Sequence, residues 1–169
     1  MASTHHYALG QEPSSPIVEA GRVQHLDAMI RIEESSFSAP WTRRMFEVEL
    51  TDNPFARFLT AHIENADESP KGPRDLVGYV CFWVVFEELR MMNLAVAPHA
   101  RRRGIGRWLL QQALTMGREE GARRALLEVR VSNHPAVALY QYAGFSQSGI
   151  RMKYYTNPDE DAVLMELEL

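Results

Sequence analysis

The sequence predicts a mixed α/β fold of the α+β kind. It reads as a three-layer sandwich with a central mixed, mostly antiparallel sheet and helices on both faces. Three observations predict it. Strand-like and helix-like stretches follow one another in the order β-α-α-β-β-β-α-β-α-β-β. The strands of the first half are joined by loop and turn segments, which implies hairpins and antiparallel pairing. A long helical stretch then separates the fourth and fifth strands, and that implies a parallel crossover.

Met1 to Pro16 is polar and carries Gly10, Pro13, Ser14, Ser15 and Pro16, the composition of a disordered arm. One domain is expected over residues 17–169. His5 and His6 lie in the arm, and two adjacent histidines fall short of a metal's convergent ligand set, so no metal is expected. Ile17 to Ala20 reads as a short first strand. Val23, Leu26, Ile30 and Phe37 suggest an amphipathic helix ending near Ser35. Pro40 breaks the chain, and Thr42 reads as the N-cap of a helix from Arg43 to about Leu50.

Phe55 to Ile63 alternates as a strand. Glu64 to Asp75, with Asn65, Asp67, Pro70, Gly72 and Pro73, reads as a hairpin loop. Leu76 to Phe86 is a nearly continuous apolar run, so a central strand covered on both faces is expected. Glu87-Glu88 turn the chain into a fourth strand from Leu89 to Val96, which Pro98 ends because it cannot donate to a ladder. A helix from Ile105 to about Glu120 follows, closed by Gly121. Ala125 to Val131 is the fifth strand. Pro135 suits the first turn of a helix to Ala143. Phe145 to Tyr154 and Ala162 to Glu168 form a terminal pair.

Composition narrows the function. The net charge is −4, so there is no global basic field for nucleic acid or membrane. The single cysteine, Cys81, excludes an internal disulfide framework and fits a reducing cytoplasm. The longest apolar run, Val77 to Phe86, is about half a membrane span. No basic-then-apolar export pattern is visible in the first twenty residues.

Against that acidic balance stands one basic loop, Leu94-Ala-Val-Ala-Pro-His-Ala-Arg-Arg-Arg-Gly-Ile-Gly-Arg107. Glycines at a helix start let an anion approach the free N–H groups, where the helix dipole favours negative charge. Arg101, Arg102, Arg103 and Arg107 add charge-assisted donors. A phosphorylated ligand therefore fits Gly104, Ile105 and Gly106. A Walker loop would need Gly-Lys-Ser/Thr, and a Rossmann fingerprint a third glycine; neither is present. A solvated basic turn without a ligand is the competing reading.

The order Arg101-x-x-Gly104-x-Gly106 after Leu94-Ala-Val resembles the acetyl-CoA signature of the GNAT N-acetyltransferases. So does the block Leu127-Glu-Val-Arg-Val-Ser-Asn133 with Ala138-Leu-Tyr140 and Gly144-Phe145. The second block is similar to the RimI type, the ribosomal-protein-alanine acetyltransferases, and the resemblance spans residues 17–169. It implies that strands four and five splay apart around the cofactor's pantetheine arm. It also implies that Leu94, Ala95 and Val96 offer backbone donors to the acetyl carbonyl, and that Asn133 contacts the cofactor. The competing role for Asn133 is a helix cap.

The resemblance makes Glu128 the proton acceptor and Tyr140 the proton donor to the departing sulfur. Bottom-up, Glu128 shares a strand face with Leu126 and Arg130. A carboxylate there must be paired or used. An arginine ion pair is the bland alternative, and for Tyr140 it is plain core packing. Partial burial would raise the Glu128 pKa toward the working range. Phe37 to Trp41 and the Tyr154-Tyr155 pair resemble the segments that border the acceptor in the RimI type; packing is their alternative. Asp159-Glu-Asp161 could attract a basic peptide, or be a solvated turn.

The expectation is an acetyl-CoA-dependent N-alpha-acetyltransferase, monomeric and cytoplasmic. Its expected acceptor is the N-terminal alanine of a small-subunit ribosomal protein, the eighteenth in that series. An alpha-amine with pKa near ~7.8 is easier to neutralise than lysine near ~10.4, by roughly 3.5 kcal/mol. The alternatives are lysine, polyamine or drug acetylation on the same fold, and a non-catalytic acyl-CoA-binding module.

Overall fold

The computed structural model describes residues 16–63 and 74–169. The expected arm with His5 and His6, and most of the expected hairpin loop, fall outside these residues. The elements are β1 (Ile17–Ala20), α1 (Leu26–Ser36), α2 (Arg43–Glu47), β2 (Ala56–Ile63), β3 (Asp75–Val85), β4 (Glu88–Val96), α3 (Ile105–Glu119), β5 (Arg124–Arg130), α4 (His134–Tyr142), β6 (Ser146–Tyr155) and β7 (Glu160–Glu168). Their order is the expected one.

Local chemistry sets most boundaries. Val23–His25 forms a 3-10 turn before α1. Thr42 caps α2, its hydroxyl accepting from the Met45 N–H at 3.3 Å. The second helix was expected to run regularly to Leu50; instead it widens into a π turn over Val48–Asp52. There the Thr51 hydroxyl donates back to the Glu47 carbonyl at 2.9 Å, and the Asn53 N–H reaches the Val48 carbonyl at 3.0 Å. Such back-bonding competes with the regular helical ladder. β4 stops at Val96, and Pro98–Ala100 turns the chain toward α3. Gly121, at φ 95°, closes α3.

The seven strands form one sheet in the order β1-β2-β3-β4-β5-β7-β6. All neighbours are antiparallel except β4 and β5. α1 packs on β3 and β4, and α3 packs on β2, β3 and β4. The first lies over Tyr79, while Ile105 and Leu109 of the second approach Gly78 on the other face. β3 runs between them, with Val77 to Phe82 buried. Tyr79, Phe46, Phe82, Met29, Leu109 and Leu110 are among the fully buried side chains. Cys81 is free and buried, and burial pushes its thiol pKa up. Among the described residues no helix is long and apolar enough to cross a membrane.

Two irregularities matter for function. Opposite Cys81 and Phe82, β4 pairs through Asn93 and Met91, so Met92 is left over as a bulge. And β4 pairs with β5 only from Glu88↔Arg124 to Arg90↔Leu126. Past those rungs β4 continues to Val96 along β3, and β5 continues to Arg130 along β7. The sheet is therefore split from Met91 and Leu127 onward, as the expected splay requires.

Candidate functional site

The split opens beside the N-terminus of α3. Gly104 is the residue before that helix, at φ 80°, and it offers no side-chain cap. A Cβ built on it would meet nothing within 4 Å, so the backbone faces open space. The first helical bond runs from the Trp108 N–H to the Gly104 carbonyl at 2.9 Å. The N–H groups of Ile105, Gly106 and Arg107 precede it and are left without helical acceptors. The Ile105 side chain is buried, so only its backbone can serve a ligand. Gly106 lies against Val96, Leu94 and Leu139, at ordinary contact distance for a Cβ.

The arginines divide. Arg101 folds back along the surface: its Nε donates to the Val96 carbonyl at 2.9 Å and its Nη2 to the Ser36 hydroxyl at 3.0 Å. It ties the loop to the ends of β4 and α1. Arg107 lies 4.3 Å over the Tyr142 ring. Arg102 and Arg103 are exposed and have no ion-pair partner among the described residues. All four expected anion donors thus lie at the surface, and Arg101 is the one held by the Val96 carbonyl and the Ser36 hydroxyl.

Glu128 lies on the part of β5 that has left β4. It is exposed, and its Oε1 accepts from Arg151 at 3.0 Å. The ion pair weighed from sequence is present, at a half-open site where solvent screens it. Tyr155 donates its hydroxyl to the Glu128 carbonyl at 3.2 Å. Tyr140 is 9% exposed and meets Phe145 edge-on at 5.7 Å. Its hydroxyl has no hydrogen-bond partner among the described residues, and no enclosed side-chain oxygen or nitrogen lacks one there. The hydroxyl therefore reaches accessible space. Burial, then the Tyr155 phenol, pushes the Tyr140 pKa up to about 12. Burial, then Tyr154 and Glu128, pushes Tyr155 up to about 12 as well. Glu128, Tyr155 and Tyr140 thus converge beside the split. Asn133 caps α4, accepting from the Ala136 N–H at 3.3 Å, so the cap role weighed from sequence is filled.

Two segments flank this convergence. Phe37 and Trp41 are half-buried, and Trp41 meets the core Phe46 edge-on at 5.4 Å. Tyr154 and Tyr155 stack edge-on at 5.0 Å, with Arg151 4.9 Å over Tyr154. The Ser38 hydroxyl donates to the Asn157 carbonyl at 3.2 Å and joins the two segments. Arg130 supports the second one. It donates to the carbonyls of Pro158 at 2.9 Å and Thr156 at 3.1 Å, pairs with Glu160, and lies 4.3 Å over the Tyr155 ring. Of the acidic run, Glu160 accepts from the Ser132 N–H, and Asp161 accepts from the Lys153 N–H at 2.7 Å. Two of its three acids serve the loop itself.

Sequence reasoning passed over Glu33. It is 1% exposed and accepts from Trp41, Tyr79 and Asn93. The signal was available: Glu33 falls at the helical spacing of Leu26, Met29 and Ile30, so it interrupts an apolar stripe. Burial holds its carboxyl above the usual range, against the hydrogen bonds it accepts.

Glu19, His25 and His62 also cluster, their ligand atoms within 4.8 Å of one another. The Arg22 N–H donates to His25 Nδ1 at 3.2 Å, and the Nε2 atoms of His25 and His62 face one Glu19 oxygen at 3.3 and 3.4 Å. The Gln24 amide nitrogen also lies 3.3 Å from His25 Nε2, and the two rings meet edge-on at 5.5 Å.

The profile of the Acetyltransferase (GNAT) family matches residues 26–145. Over 144 residues the chain is 39% identical to a Bacillus subtilis (strain 168) protein provisionally named ribosomal protein bS18-alanine N-acetyltransferase, covering 85% of this chain and 89% of that one. It is 32% identical over 146 residues to the Escherichia coli (strain K12) ribosomal protein bS18-alanine N-acetyltransferase, covering 85% and 91%. The crystal structure of the ribosomal-protein-S18-alanine N-acetyltransferase from Escherichia coli superposes with a TM-score of 0.79 at 28% identity, over 91% of this chain and 94% of that one. Arabidopsis thaliana NAA60 in complex with acetyl-CoA shares the fold at a TM-score of 0.80 and 17% identity, over 92% and 99%.

Proposed function

The chain belongs to the acetyltransferase (GNAT) family and is an N-acetyltransferase, and from that premise we propose that it carries the acetyl group of acetyl-CoA to a protein N-terminus. The acceptor that fits best is the N-terminal alanine of a small-subunit ribosomal protein, the eighteenth in that series. The observation that carries the reading is the split sheet. β4 and β5 part after three rungs, and the gap opens onto an α3 N-terminus with free N–H groups.

Each demand of the reaction has a group to meet it. The N–H groups of Gly104, Ile105, Gly106 and Arg107, with Arg102 and Arg103, suit a pyrophosphate. Leu94, Ala95 and Val96 lie on the unpaired edge of β4, where backbone donors can face the acetyl carbonyl. Acetyl-CoA supplies the thioester. Glu128 stands at the open side of the split and takes the proton of the incoming amine, directly or through water. Its Arg151 partner is exposed and can yield to the substrate's cation. Tyr140 keeps its proton across the neutral range and offers it to the sulfur. A phenol near 12 gives a full proton to a thiolate near ~8.5 only at a cost of roughly 5 kcal/mol. Its first contribution is therefore a hydrogen bond to the departing sulfur. Asn133 borders the same gap while capping α4.

Phe37, Trp41, Tyr154 and Tyr155 wall the acceptor slot. A flexible chain end enters such a slot more easily than a side chain rooted in a folded surface. With Glu160 and Asp161 engaged internally, Asp159 is left as the acid able to favour a basic second residue. The enzyme works in this reading as a cytoplasmic monomer, away from nucleic acid and membranes.

Turnover with a peptide panel tests the proposal. A peptide beginning with alanine is expected to be acetylated on its alpha-amine well ahead of one with a bulky first residue, and mass spectrometry locates the product. Glu128→Gln and Tyr140→Phe should each lower turnover by ~10²–10⁴-fold with the melting temperature little changed. Acetyl-CoA should raise the melting temperature of the parent. Gly104→Val should abolish that rise. Acetylation mainly on internal lysine would replace this reading with the lysine or small-amine one.

A further inference from the structure

A carboxylate in the core with no cation beside it is an expensive object, so the use made of it is informative. Glu33 reaches from α1 into the space between α1, β3 and β4. Its Oε1 accepts from the Trp41 backbone N–H at 2.7 Å and from Asn93 Nδ2 at 3.1 Å. Its Oε2 accepts from Asn93 Nδ2 at 3.1 Å and from the Tyr79 hydroxyl. One side chain therefore holds three segments of the chain, one through its backbone and two through side chains. Trp41 ends the segment that walls the slot. Asn93 lies at the β4 bulge, immediately before Leu94, Ala95 and Val96, on the stretch that has parted from β5. Tyr79 is fixed in the middle of the sheet and supplies the rigid reference for both.

We propose that Glu33 is a positioning residue for acetyl transfer, setting the distance between the acceptor wall at Phe37 to Trp41 and the donor strand at Leu94 to Val96. The assignment rests on the reading that the amine enters along that wall. Being buried, Glu33 touches neither substrate. It acts through the Trp41 amide and the Asn93 side chain. The geometry favours this role over plain packing, because an apolar side chain of similar size would fill the space without tying the loop to the bulge. A carboxylate is the one side chain that accepts all four hydrogen bonds from two sides at once. Glutamine keeps the acceptor for Trp41 but turns an amine against the Asn93 amide, donor against donor.

The test uses the full chain at a temperature where all variants keep native circular dichroism. Steady-state rates with an alanine-first peptide and saturating acetyl-CoA are read beside the acetyl-CoA dissociation constant. Amide hydrogen exchange by mass spectrometry follows Phe37 to Trp41. Glu33→Gln is expected to lower kcat/KM for the peptide at least tenfold and to speed exchange in that segment at least tenfold. The acetyl-CoA dissociation constant should stay within threefold. Adding Asn93→Asp restores an acceptor opposite the glutamine amide and should recover most of both losses. A Glu33→Gln protein with a lower melting temperature but a parental kcat/KM would overturn the proposal, as would a matching loss of acetyl-CoA affinity. Should the parent itself ignore the alanine peptide, the acceptor reading fails, and exchange still decides the clamp: no acceleration in Glu33→Gln overturns it.

Discussion

The two walls of the proposed acceptor slot are held in opposite ways. The Phe37 to Trp41 wall hangs from a buried carboxylate that belongs to the core. The Tyr154-Tyr155 wall hangs from Arg130, on a part of the sheet open to water. Their supporting strands differ in the same sense. β3 is buried through most of its length, while β6 is exposed at nearly every residue, with Ile150, Met152 and Tyr154 facing solvent. The difference teaches where precision and adaptability are stored. A contact sealed from water keeps one geometry, whereas a half-buried guanidinium within reach of water can yield and re-form more easily.

The contrast can be broken at its stronger end first. Glu33→Ala orphans the Trp41 amide, the Tyr79 hydroxyl and the Asn93 amide in a dry site. At ~1–3 kcal/mol per unsatisfied buried group, a loss of about 3–5 kcal/mol is expected in urea unfolding. Arg130→Met removes bonds that water can partly replace, so about 1–2 kcal/mol is expected, with a raised peptide KM and unchanged acetyl-CoA affinity. If Arg130→Met costs as much as Glu33→Ala, the walls are equivalent and the contrast is wrong. Tyr155→Phe removes one bond to the Glu128 carbonyl and should cost about 1 kcal/mol or less, read as a small fall in melting temperature.

The finest test is the sign of the pH response. Glu33 is held above its ordinary value of 4.5 by burial. Its contribution is therefore fully present below that value and is lost as pH rises through the folded pKa. Glu160 is held below 4.5 by hydrogen bonds from Ser132, then Arg130. Its contribution is present above 4.5 and is lost as pH falls through the folded pKa. Acidification should thus raise the share of unfolding stability linked to Glu33 and lower the share linked to Glu160, read as urea unfolding at several pH values. Glu33→Gln and Glu160→Gln should each remove its own part of that response.

Much of this was legible before any coordinates. Strand and helix order, the Thr42 cap and the stop at Pro98 follow from local rules, and the structure keeps them. The resemblance led to the split between β4 and β5; periodicity cannot, because pairing is a relation between distant segments. For the same reason the bonds of Arg101 were invisible: three arginines in a row look alike until one is seen to reach Val96 and Ser36. The acidic run hid its role in the same way, since Glu160 and Asp161 find backbone donors at Ser132, just past β5, and at Lys153 on β6. Glu33 was missed because a glutamate near a helix end looks like solvent-facing charge; its place on the stripe with Leu26 and Met29 was the clue. The widening at Val48–Asp52 turned on one threonine hydroxyl whose choice of acceptor is set only once the helix has formed.

The three-rung seam between β4 and β5 has a consequence beyond chemistry. A sheet with a cleft in its middle is two half-sheets sharing a short hinge of hydrogen bonds. A ligand that bonded to both halves would do the work of the missing rungs. The mechanical integrity of the molecule is then tied to the supply of its own reactant by mass action. On the proposed function, the two halves would move as one body in a cell rich in that metabolite. When it ran low, the edges of Met91 to Val96 and Leu127 to Arg130 would be the first backbone offered to solvent and to proteases. The lifetime of the protein would thus follow the metabolic state that its activity consumes.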